Sequence, residues 1–129
     1  MNELTKIDKN TISTIEKNGI TDLVKTLTRE IHLFDTFVAG VSHIEDKTVF
    51  DDLKIEDELV LVREDNKFDT KAILIKNTNN KKLGYIPETD NIIFSRLMDA
   101  GKLLKARVKN IENLKGFTKI QISIFLFDF

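Results

Sequence analysis

The sequence predicts a small, mainly β barrel with one inserted helix and a helical N-terminal extension. Three observations carry this reading. The apolar runs Leu59–Val62 and Ala72–Ile75 flank a nine-residue polar segment, Arg63 to Lys71, as two neighbouring strands flank a loop. Leu103–Ile111 and Thr118–Phe127 form a second strand pair, turning around Asn113 to Gly116, with Ile120, Ile122, Ile124 and Leu126 on one face of the last strand. Between the two pairs lies a single helical pattern. The whole describes five or six short strands with one helix between the fourth and fifth.

Taken in order, residues 1–34 read as helical. Ser13 and Glu16 have capping-box spacing, and Asn18-Gly19 reads as a stop. A second helix follows Thr21, with Leu23, Val24, Leu27, Ile31 and Phe34 on one face. This places a helical extension at 1–33 and the barrel at 34–129. His32 reads as a polar-face residue rather than a ligand, because no cysteine and no third histidine accompany it. Phe37–His43 reads as the first strand, with Gly40 marking a bulge or a close backbone approach. Glu45–Asp52 is acidic and turn-like, and Glu56-Asp57-Glu58 is a turn before the central strand. Asn77–Asn80 is a turn, and Leu83–Ile86 is a short strand stopped by Pro87. Thr89 or Asp90 caps the helix, which carries Ile92, Ile93, Leu97 and Ala100 and ends at Gly101. The final strand is apolar on both faces near its end, through Phe125, Phe127 and Phe129, and so needs cover. The N-terminal helices are the expected cover, with a dimer partner as the alternative.

Composition narrows the class. At 129 residues the chain fits one domain, and 41% hydrophobic with 32% charged residues is ordinary for a soluble protein. The absence of cysteine excludes disulfides and thiolate metal sites. No signal core and no membrane-length apolar run is present, so a cytoplasmic protein without membrane contact is expected. The net charge of −1 argues against a general nucleic-acid binder. The charge is unevenly spread, however. Residues 1–59 hold 7 Lys/Arg against 13 Asp/Glu, and residues 60–129 hold 13 against 8, which hints at a basic face on the C-terminal part. No nucleophile elbow, phosphate-binding glycine loop or paired histidine occurs, so a binding module without cofactor or metal is expected rather than an enzyme.

Four blocks in order, Gly40-Val41-Ser42-His43, Leu59-x-Leu61-Val62-Arg63-Glu64, Asn66-x-Phe68-Asp69-x-x-Ala72-Ile73 and Leu83-Gly84-Tyr85-Ile86-Pro87, make the sequence resemble the HIRAN domain. The resemblance runs from about Phe34 to Phe127. It implies a small OB- or SH3-like barrel and, from the eukaryotic fork-remodelling members, a site for the 3′ end of single-stranded DNA, a role in DNA repair. Phe68-Asp69 matches the family's stacking aromatic and end-reading aspartate, Asn66 its preceding asparagine, and His43 its first stacking aromatic. Ser42 stands where the family has a basic residue, Lys67 where it has proline and Lys71 where it often has asparagine. The ATPase motors and RING fingers fused to some relatives are absent.

The chemistry fits a strand end. Phe68 and His43 could stack on a base or ribose, and the Asp69 carboxylate could accept a hydrogen bond from a terminal hydroxyl. Arg63, Lys67, Lys71, Lys82 and Lys115 could contact phosphates if they share a face. Tyr85 and Phe117 complete the expected groove. Against this, Phe68 could plug the core and Asp69 could simply cap the loop through backbone N–H groups. His43 with Glu45 and Asp46 lacks metal-site spacing, and Asp65–Asp69 lacks the glycine and terminal glutamate of a calcium loop. The partners expected are single-stranded DNA or a DNA 3′ end, with a separate helicase or nuclease as a protein partner. A monomer is expected, with a homodimer as the alternative. The rival function is a protein-interaction barrel that docks a peptide or its own copy through the apolar last strand.

Overall fold

A computed structural model describes residues 29–128. Its strands are β1 (Arg29–Phe37), β2 (Glu58–Arg63), β3 (Ile73–Asn77), β4 (Lys82–Tyr85), β5 (Leu103–Leu114) and β6 (Phe117–Asp128), with helix α1 (Glu88–Asp99) between β4 and β5. The sheet has six strands in the order β1-β6-β5-β2-β3-β4. Its two edges meet just beyond β1, where Ala39 pairs with Tyr85 of β4 through two backbone hydrogen bonds, of 2.8 and 2.9 Å. The Val38 N–H, one residue earlier, donates to the Ile120 carbonyl of β6 at 2.9 Å. Val38 thus carries the β1 edge one residue further along β6, and Ala39 joins it to β4 and closes the barrel.

Alternation drives these strands. Leu59 and Leu61 on β2, Ile73 and Ile75 on β3, Ala106 and Val108 on β5, and Ile120, Ile122 and Ile124 on β6 all turn into one buried core. The β2–β3 pair runs antiparallel from Leu59↔Asn77 to Arg63↔Ile73, so the intervening loop leaves the sheet beside the closing seam. A register shift between Val108 and Asn110 bends the long β5–β6 hairpin across the barrel.

Several sequence expectations need correction. Residues 29–34 lie in β1, not in a helix, and the expected helices before them lie outside the described residues. The first strand therefore starts earlier than Phe37, and Val41–His43 form a short 3-10 turn instead of continuing it. Gly40 opens that turn in the left-handed region at φ +75°, but the close backbone approach is at Gly84. Helix α1 has Pro87 at its N-cap, without a side-chain cap, rather than Thr89 or Asp90, and Asp90 instead accepts a 2.7 Å hydrogen bond from the Thr36 hydroxyl. Ile92 and Ile93 face outward. Asn91, Phe94 and Ser95 form the buried side of α1.

Two cations of the C-terminal part meet carboxylates from the acidic half of the chain. Arg107 pairs with Glu30, and Lys109 pairs with Asp35. Asp35 also accepts from Ser123 at 2.6 Å and from His32 at 2.7 Å, and these bonds, that of Lys109 foremost, hold its carboxyl well below the usual range. On the same side Arg107 lies 4.7 Å over the Phe125 ring and Lys105 4.7 Å over Phe127. These cations cover part of the strand that the sequence left without cover. Among the described residues no helix is long and apolar enough to cross a membrane.

Candidate functional site

The β2–β3 loop is built around Asn66. Its Oδ1 accepts from the backbone N–H of Phe68 at 2.9 Å and of Asp69 at 2.8 Å, an Asx turn that reverses the chain. Its Nδ2 donates to Glu64 Oε1 at 2.9 Å. The Tyr85 hydroxyl donates to the same oxygen at 2.9 Å and accepts from Lys82 Nζ at 2.8 Å. The bonds from Asn66 and Tyr85 hold the Glu64 carboxyl below the usual carboxylate range.

The turn pushes Phe68 outward. The residue is 88% exposed, which excludes the core-plug reading, and the Lys67 ammonium sits 5.3 Å from the ring centroid. Asp69 does cap the loop: Oδ1 accepts from the Lys71 N–H at 2.9 Å, and Oδ2 accepts from Asn91 Nδ2 at 2.8 Å. Each carboxylate oxygen can accept two hydrogen bonds, so each keeps one site for a further donor.

Asn66, Phe68, Asp69 and Tyr85 line one cleft of about 330 Å³, together with Ala39, Gly40, Ala72, Ile86 and Glu88. The cleft sits on the closing seam of the barrel. The other expected residues do not join it. His43 lies in a neighbouring groove with Lys81 and Lys82, and Ser42 and Phe117 share a third depression with Lys47 and the β5–β6 turn. Lys71 touches the site only indirectly, through its backbone N–H to Asp69. Arg63 is committed to the loop. It donates to the Ala72 carbonyl at 2.7 Å and the Thr70 carbonyl at 3.0 Å, and bridges to Asp99 at 2.9 Å. A guanidinium with these partners is a clamp rather than a free phosphate contact.

Sequence reasoning missed the roles of Glu64, Glu88 and Asn91. Glu64 lay within a quoted motif but gave no sign that it would hold Tyr85 and Asn66. Asn91 lies on the buried side of α1, where an amphipathic pattern expects an apolar residue. No group of three or more His, Cys, Asp or Glu suited to a metal ion occurs among the described residues.

A crystal structure of a protein from Lactobacillus plantarum superposes with a TM-score of 0.73 at 24% identity, covering 79% of this chain and 99% of that one. The HIRAN domain of human HLTF superposes with a TM-score of 0.59 at 15% identity, covering 76% of this chain and 78% of that one. At these identities the likeness concerns the fold. No curated protein matches the sequence. The HIRAN domain family model matches residues 31–126, from β1 through β6 and including the whole cleft, and the chain therefore belongs to the HIRAN domain family.

Proposed function

We propose that this protein is a nucleic-acid-binding module that holds the 3′ end of single-stranded DNA in the Phe68–Asp69–Tyr85 cleft. The observation that carries the reading is the Phe68 ring, held out in solvent at the mouth of a cleft whose wall includes a carboxylate. A base stacked on such a ring gains about 1–3 kcal/mol whatever its identity. The charges are consistent with a strand that ends there. Among the described residues, Asp69 and Glu88 line the cleft and no Lys or Arg does, whereas Lys67 and Lys82 stand at its rim, over the Phe68 and Tyr85 rings. An uncharged terminal sugar suits the interior, and phosphates suit the rim. Family membership supports a nucleic-acid partner.

A fluorescent single strand titrated at several salt concentrations tests this reading. With two rim lysines on phosphate, log K should fall against log salt with a slope of about −1.4, from about −0.7 per phosphate. Binding that ignores salt would point instead to a peptide docked on apolar surface.

A further inference from the structure

We infer that Asn91 is a positioning residue: through it, helix α1 fixes the Asp69 carboxylate in the orientation that meets a terminal hydroxyl. The inference rests on the end-binding reading of the cleft and adds to it the element that sets selectivity. Asn91 is 2% exposed, and its Nδ2 donates to Asp69 Oδ2 at 2.8 Å across 22 residues of sequence. The second Asp69 oxygen is taken by the Lys71 N–H at 2.9 Å. One donor on each oxygen fixes both the carboxylate plane and the direction of the acceptor sites left over.

The helix is itself well placed to do this. Near its start Asp90 accepts from Thr36 of β1 at 2.7 Å, and at its end Asp99 meets Arg63 at 2.9 Å. Arg63 also holds the Thr70 and Ala72 carbonyls of the same loop. The recognition loop is therefore fastened to both ends of α1, with Asp69 at one of the two ties. A buried amide is costly unless paired, and an apolar residue would serve packing alone at this position. The pairing with Asp69 is what an asparagine supplies there and a leucine cannot.

The test compares Asn91→Leu, which keeps the shape and removes the donor, with the wild-type chain on strands ending in 3′-hydroxyl or 3′-phosphate. The hydroxyl preference should fall at least fivefold towards unity, while affinity for a strand with a blocked 3′ end changes less than twofold. A preference retained in Asn91→Leu overturns the inference. A ligand-free measurement accompanies it, so that poor folding of the variant leaves no ambiguity. The Asn91 side-chain amide protons, followed by NMR, should exchange at least tenfold faster in Asp69→Ala than in wild type. Equal exchange in the two also overturns the inference. If Asp69 protects that amide but the wild type shows no end preference, the positioning contact stands and the end-binding reading falls.

Discussion

Gly84→Ala is expected to destabilise the barrel by about 2–4 kcal/mol, the cost of overpacking together with two weakened backbone hydrogen bonds. The position has no room for a side chain. A Cβ there would lie 2.6 Å from Val38 Cγ1 and closer still to the Ala39 carbonyl oxygen, at a φ of +155°. Neither neighbour can give way freely, because Val38 and Ala39 are the residues that join β6 and β4. The strain therefore falls on the seam. Ala39, Gly40 and Tyr85 of the seam also line the cleft, so ligand affinity should fall with stability. Chemical denaturation measures the first effect, and an unfolding midpoint equal to wild type would show that the seam is not as tight as described.

Phe68→Ala should do the opposite, removing affinity and sparing the fold. Loss of one stacked base corresponds to about 1–3 kcal/mol, or roughly 5- to 150-fold in affinity for a single strand. Stability should change by no more than about 0.5 kcal/mol, as for other exposed positions away from structural features. A fall of about 3–5 kcal/mol, typical of truncating a buried phenylalanine, would place the ring in the core. Unchanged affinity with unchanged stability would remove Phe68 from the site.

The parts of the fold that could be read from sequence are those whose signal is local. The β2 and β3 strands, their loop and the β5–β6 hairpin follow from alternation and turn residues, and all appear at or near the expected positions. Residues 29–34 of β1 read as helix because Ile31 and Phe34 fit a helical face. Its strand character depends on distant partners: Glu30 finds Arg107, and Asp35 finds Lys109 and Ser123. The same pairings set Arg107 and Lys109 of the C-terminal part against carboxylates of the acidic half. The orientation of α1 was lost for a related reason. Its Ile92 and Ile93 look like core residues, yet Ile93 is 68% exposed while polar Asn91 turns inward to Asp69.

The candidate site shows the same division. Asn66, Phe68 and Asp69 were legible together because an Asx turn is written in consecutive residues. Tyr85 joins them only because the barrel closes beside the loop. Arg63 looked like a phosphate contact because a cation in a loop usually faces water. Here it folds back on two loop carbonyls and Asp99.

On the proposed function the cleft receives a strand end and not merely a strand. Wild-type affinity for matched single strands ending in 3′-hydroxyl or 3′-phosphate decides between the two. A phosphate about 4 Å from the Asp69 carboxylate meets a repulsion of about 1–4 kcal/mol, depending on the local dielectric. The hydroxyl end should therefore bind roughly 5- to 1,000-fold more tightly, and Asp69→Asn should narrow that ratio while weakening the hydroxyl complex only modestly. Equal affinity for the two ends, or for a strand with no free end, would rule out end binding and leave Asp69 as a loop-capping residue.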